Sequence, residues 1–328
     1  MAREINIGSA RSTGPGRVTG RLPLGSAPDG TPIEAPVVIV QGAADGPVLW
    51  LHGCVHGNEY CGTYIIHEFL HGLDPAALKG AVVALPVVNP PAFQFNRRTN
   101  PLDIFNDVDM NRQFPGNPNG VATQQMAAVV YRELKAHADV LIDFHTAITA
   151  DVRWALFPKM GGEAGRLSET VARAFGYRDT LPVPEGTLKG SALMTAAGDG
   201  IASFIVECGG KHRAFTDEAV TDAAERLRNV ARGLGMLEGA VVDHGPMTYF
   251  SNFAWITARQ GGLFQKEVSC GDAIVEGALL GRYYDVWGND AGEARAPDAG
   301  VVLAINNGPL IGPGETLVHI GLDPRPAA

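Results

Sequence analysis

From Arg21 to about Gly239, apolar runs alternate with helical stripes. GPVLWLHG, around Val48–Leu51, is an unbroken apolar run, which predicts a strand buried on both faces. In the following TYIIHEFLHGL, Ile65, Ile66, Phe69, Leu70 and Leu73 recur at helical spacing, with Gly72 near the end. VVALPVV, ADVLIDFHTA and ASFIVECGG predict further buried strands, and residues 122–138, 163–176 and 216–234 predict helices. Upstream, RLPLGS and APVVIVQG read as strands on either side of the turn signal PDG. Apolar strands alternating with amphipathic helices predict an α/β fold, a mixed, mainly parallel sheet flanked by helices.

Three stretches break this pattern. Residues 1–20 are rich in Gly, Ser, Arg and Pro and offer little to bury, so a flexible N-terminal arm or an oligomer contact is expected there. Residues from about 96 to 120 show no periodicity, and aperiodic loops of that length are usually functional. Beyond Gly239 the helical period disappears. GGLFQKEVSCGDAIVEGALLG and AGVVLAINNGPLIGPGETLVHIG form a weak internal repeat of short strands. The expected organisation is therefore an arm over 1–20, a main domain over 21–239 and a small C-terminal β domain over 240–328.

Composition narrows the partners. The 328 residues carry a formal net charge of −9 with no basic block, which removes the electrostatic footprint of a nucleic-acid binder. No run of about 18 apolar residues occurs and the N-terminus lacks a signal-peptide core, so a cytoplasmic protein without a membrane partner is expected. Cys54, Cys61, Cys208 and Cys270 have no CxxC spacing and read as free, mostly buried thiols.

His56 and Glu59 stand three apart in HGCVHGNE, where a predicted buried strand gives way to a helix. At that spacing an imidazole and a carboxylate can share a cation. His145 in LIDFHTA and Glu207 in FIVECGG also end predicted buried strands, and in open α/β sheets ligand sites form at the carboxyl ends of strands. Two His and one Glu with an open position are the donor set of a catalytic zinc site. Such a site suits amide hydrolysis, with Glu207 as the base that takes a proton from water and passes it to the leaving amine. His52, four residues before His56, competes as a ligand, although its place inside the strand end favours a packing or supporting role. His67, His71, His137, His212, His244 and His319 lack a partner at suggestive spacing and read as surface or structural residues.

HGNE, NPPAF, RR, DMNRQFPG, DFHT and VECG, in this order and spacing, resemble the succinylglutamate desuccinylase and aspartoacylase family of zinc carboxypeptidase-like hydrolases, over roughly residues 20–240. The resemblance implies one Zn2+ per chain on His56, Glu59 and His145, with Glu207 as base. It further implies that Arg98 polarises the scissile carbonyl and that Asn111 and Arg112 grip a substrate carboxylate; guanidinium chemistry suits both tasks. Arg97 is adjacent, so either arginine could face inward, while Asp109 is expected to orient the loop. The C-terminal segment resembles the small β barrel of biotinyl and lipoyl carrier domains, which some family members append. No modifiable lysine stands at the hairpin tip of AGVVLAINNG, so a scaffold that walls the site or joins a homo-oligomer is expected.

The implied activity is deacylation of a small N-acyl amino acid, with N-acetyl diamino acids favoured over acetylaspartate and succinylglutamate. Residues 147–152 and 187–194 are expected to border the pocket. A metallocarboxypeptidase using the same zinc and base is the near alternative. A non-catalytic zinc-containing binding protein is the distant one, and Glu207 separates it from the others, since a binding module needs no base.

Overall fold

The structure is a computed structural model and describes residues 4–103, 107–147 and 152–327. The chain begins with three strands, β1 (Ile5–Ile7), β2 (Ala10–Ser12) and β3 (Gly16–Ser26), followed by β4 (Pro32–Gln41) and β5 (Ala44–His52). Helix α1 (Cys61–His71), β6 (Lys79–Leu85), α2 (Pro90–Gln94) and α3 (Ala122–His137) come next. Then follow β7 (Val140–His145), β8 (Arg153–Lys159), α4 (Gly162–Phe175), β9 (Asp179–Pro184), α5 (Ala192–Gly198), β10 (Ala202–Cys208) and α6 (Asp217–Gly233). The remaining strands are β11 (Thr248–Tyr249), β12 (Asn252–Thr257), β13 (Gly262–Lys266), β14 (Ala273–Ile274), β15 (Leu279–Tyr284), β16 (Asp290–Arg295), β17 (Gly300–Ile305), β18 (Leu310–Ile311), β19 (Thr316–Leu322) and β20 (Arg325–Pro326).

A ten-stranded sheet in the order β20-β11-β9-β8-β10-β7-β5-β6-β4-β3 organises the molecule. Its central run β10-β7-β5-β6 is parallel, whereas β8 against β10 and β4 against β6 are antiparallel. The apolar runs around Val48–Leu51 and Val140–Phe144 are buried along their length, as strands covered on both faces must be. Helices α1, α4 and α6 pack one face through Ile65, Phe69, Phe175 and Leu227. The other face is covered by α3 and α5 through Met126, Val130 and Ala192. The predicted helices at 122–138, 163–176 and 216–234 agree with α3, α4 and α6 to within a residue or two at each end.

The expected flexible arm over residues 1–20 is corrected. Residues 5–7 and 10–12 pair as an antiparallel hairpin, and Ile5, Ile7 and Ala10 are buried with Leu22 and Leu24 in the core beneath α3. The turn depends on Gly8, at φ +57, where a Cβ would sit 2.1 Å from the Arg21 carbonyl oxygen. Polar and glycine content concealed Ile5 and Ile7, at the two-residue spacing of a strand, and Ala10 across the turn.

Beyond Gly239, antiparallel strands form two four-stranded sheets, β12-β19-β17-β14 and β16-β15-β13-β18. One apolar core joins them, with Ile274, Val302 and Ile320 from the first and Phe264, Leu280 and Ile311 from the second. The segment is tied to the main sheet, since β11 pairs with β9 and β20 pairs with β11. Phe250, Val301 and Leu303 also share a buried cluster with Trp154, Leu156 and Ile205. Among the described residues no helix is long and apolar enough to cross a membrane.

Candidate active site

β5, β7 and β10 end side by side, and their carboxyl ends carry the candidate residues. His145 closes β7, and Glu207 stands in register with it on β10. After β5 the chain turns sharply through Cys54, which sits at φ 49, with its thiol against Thr63 Oγ1 and the Glu59 carbonyl. Gly57 brings this turn against α2, where a Cβ would lie 2.0 Å from the Ala92 carbonyl carbon. The turn thereby points His56 and Glu59 toward the end of β7.

The three residues converge as their spacing predicts. Ligand atoms of His56, Glu59 and His145 all lie within 4.8 Å of one another. His145 Nδ1 is 3.2 Å from His56 Nδ1 and 3.0 Å from Glu59 Oε2, and His56 Nδ1 is 3.1 Å from Glu59 Oε1. Each imidazole spends its other nitrogen on a carboxylate: His56 Nε2 on Asp109 Oδ1 at 2.9 Å, and His145 Nε2 on Asp143 Oδ2 at 3.0 Å. Carboxylates behind ligating imidazoles fix the ring and raise its basicity, the arrangement that metal sites use. Asp109 also accepts the Asn111 backbone N–H, so it orients the loop as expected and braces His56 as well. His52, fully buried, stacks near Phe114 and lies 3.9 Å from Asp143, which places it behind the cluster.

Charge favours a cation at this point. Burial opposes a charge on Glu59, but His56 and His145 outweigh it and hold the carboxyl well below its ordinary pKa. Burial likewise opposes a proton on His145, yet Asp143 and Glu59 outweigh it and hold the imidazole well above its ordinary value. Glu59, Asp109, Asp143 and Glu207 bring four carboxyl groups to one buried region, where Arg98 pairs with two of them, at 3.1 Å to Glu59 and 2.9 Å to Asp109. Two imidazoles and one carboxylate backed by further carboxylates fit a divalent ion such as zinc.

A cavity of about 400 Å³ opens beside this cluster. Arg98 lines it and Arg97 is exposed, which settles which arginine faces the site. Glu207 reaches the cavity with Oε2 unpartnered among the described residues, and burial pushes its carboxyl up to about 7, with the charge on His145 opposing and Glu59 adding. Asn111 and Arg112 also line it. Asn111 Oδ1 accepts the Ala192 N–H and its Nδ2 lies 3.2 Å from the His145 ring, whereas among the described residues Arg112 bonds only the Asn111 carbonyl oxygen, through Nη1. Ala147, Leu188 and Ser191 border the cavity as expected, while residues 148–151 of the expected border lie outside the described residues.

Several residues had not been singled out from the sequence. Asp143 was findable, since two residues before His145 on a strand it must share that histidine's face. Lys211 and Trp154, with Phe253, Trp255, Thr316 and His319 from the C-terminal sheets, also line the cavity. The last four come from β12 and β19, whose short strands carry no pattern that assigns an inward face to a distant site.

The fold and the buried His–Glu–His cluster at its strand ends define the class: an α/β protein with the donor set of a catalytic metal site. Residues 45–234 match the family model of the Succinylglutamate desuccinylase/Aspartoacylase catalytic domain, and the chain belongs to that family of hydrolases. It is 29% identical, over 299 residues, to N-alpha-acetyl-L-2,4-diaminobutyric acid deacetylase of Halomonas elongata, covering 88% of this chain and 85% of the relative. The product-bound structure of the ectoine utilization protein EutE (DoeB) from Ruegeria pomeroyi superposes with a TM-score of 0.81 at 25% identity, over 94% of this chain and 95% of that one. A succinylglutamate desuccinylase/aspartoacylase structure from Rhodobacter sphaeroides shares the fold at TM-score 0.81 and 24% identity, over 95% and 96% of the two chains.

Proposed function

We propose that the protein is a zinc-dependent deacylase that hydrolyses the amide bond of small N-acyl amino acids. The observation that carries this reading is the juxtaposition of Glu207, whose Oε2 has no partner among the described residues, with the His56–Glu59–His145 donor set. The named activity of the Halomonas elongata relative, a deacetylase of an Nα-acetylated amino acid, supports it.

His56, Glu59 and His145 would hold the ion, with Asp109 and Asp143 fixing the two imidazoles from behind. When bound there, zinc supplies Lewis acidity toward the amide carbonyl and a more acidic water. Glu207 accepts the proton of the attacking water and returns it to the amine nitrogen as the C–N bond breaks. A carboxyl whose pKa lies near neutrality suits both halves of that transfer. Arg98, held by Glu59 and Asp109, places positive charge where the carbonyl oxygen becomes anionic. Arg112, which among the described residues bonds only the neighbouring Asn111 carbonyl, is the cation that takes the substrate carboxylate.

The Glu207 carboxyl disfavours a purely binding role, since a ligand-holding site has no use for a base there. Walls from β12 and β19 narrow the cavity, which favours small acylated amino acids over longer peptides. The test is a hydrolysis screen over N-acetyl, N-succinyl and N-formyl amino acids with chelated and zinc-restored protein. Turnover that is lost on chelation and returns with zinc is expected. Activity that survives complete removal of the metal, or steady trimming of long peptides in place of acyl amino acids, would refute the reading.

A further inference from the structure

The mechanism above leaves one wall of the cavity unexplained. His319 on β19 is 1% exposed, and among the described residues neither ring nitrogen has a hydrogen-bond partner. It stands in register with Trp255 on β12, so both side chains point to the same side, into the catalytic cavity. Trp154 meets His319 edge to face at 6.1 Å between ring centroids, and its indole N–H is also buried without a partner. Trp154 is in register with Glu207, which ties this wall to the reacting centre. Lys211, four residues beyond Glu207, brings an ammonium to the same cavity and, among the described residues, makes no ion pair or hydrogen bond.

Buried polar groups are normally satisfied, and each exception asks for a partner. Among the described residues the Trp154 indole N–H and the His319 imidazole are such exceptions, and the half-buried Lys211 ammonium stands beside them. Burial holds the imidazole neutral with a pKa of about 3, and the charge on Lys211 acts in the same direction, so the ring keeps one N–H to offer. All three groups donate, and the second imidazole nitrogen can accept as well. Leu156, Ile205, Phe253 and Trp255 on this wall are apolar, and Thr316 adds one hydroxyl. The wall therefore suits a substituent with an apolar stem and an accepting oxygen at its tip.

We propose that Lys211, His319 and Trp154 form a specificity subsite that reads a carboxylate or carboxamide oxygen at the far end of the substrate and rejects a distal ammonium. The inference rests on the deacylase reading and sharpens it. A second ammonium beside Lys211 would face like charge in a poorly hydrated cavity, so the subsite selects partly by repulsion. The preference thus departs from the diamino acid named for the Halomonas elongata relative. His319, which had read as a structural residue, becomes a contact to substrate.

The test compares four probes on the zinc-loaded full-length protein: the Nα-acetyl derivatives of glutamine, glutamate, norvaline and 2,4-diaminobutyrate. Values of kcat/KM are measured for wild type, Lys211→Met and His319→Phe, and binding of the same probes is measured by calorimetry in a Glu207→Gln background. Wild type is expected to prefer the glutamine and glutamate derivatives over the other two by about tenfold or more, and each substitution to shrink that ratio to about threefold or less. His319→Phe removes the unpartnered nitrogens but sets a larger ring at a buried position, so its melting temperature is measured alongside, and Lys211→Met, at a half-buried site, separates lost selectivity from lost folding. A wild-type preference for norvaline or diaminobutyrate, or a ratio unchanged in both variants, overturns the subsite. Selective binding with no hydrolysis of any probe sinks the deacylase reading and supports the subsite. Hydrolysis without selectivity does the reverse.

Discussion

His145 holds Glu59 through one nitrogen and Asp143 through the other, at 3.0 Å each. The ligand role proposed for it depends on the second contact as much as on the first. Asp143→Asn keeps the shape and removes the charge that fixes the ring, so zinc affinity should fall by roughly 10- to 100-fold with the fold retained. Metal titration against a competing chelator measures this, and unchanged affinity would remove Asp143 from the site. Strand-end placement made His56, Glu59, His145 and Glu207 legible in the sequence. Asp143 was equally legible in DFHT, since strand alternation puts i and i+2 on one face. Arg98 could be separated from Arg97 only by three-dimensional placement, since the aperiodic loop carrying both gives no face to either.

At the scale of elements, β5, β7 and β10 could be read from sequence because doubly covered strands are continuous apolar runs. The β1–β2 hairpin could not, since strands of three residues are too short for a period to register. Its burial against the core under α3 makes it part of the main sheet's packing. Ile7→Ala should therefore destabilise the protein by about 2–5 kcal/mol, the usual range for truncating a fully buried isoleucine. Chemical denaturation checks this, and a change below about 0.5 kcal/mol would restore the picture of a loose arm.

The whole molecule joins its C-terminal segment to the hydrolase core more closely than a composition shift near Gly239 suggests. β11 and β20 extend the ten-stranded sheet, and β12 and β19 bring aromatic and polar side chains to the catalytic cavity. The composition change marked where helices stop, but strand pairing between distant segments leaves no local trace in sequence. The catalytic account for the whole molecule turns on Glu207, the carboxyl that separates a hydrolase from a zinc-holding binding protein. The most direct measurement is turnover of an N-acyl amino acid substrate, together with zinc content, for wild type and Glu207→Gln. The account predicts full zinc content in the variant with turnover reduced by roughly 10²- to 10⁴-fold. Turnover within a few-fold of wild type at equal zinc content would contradict it.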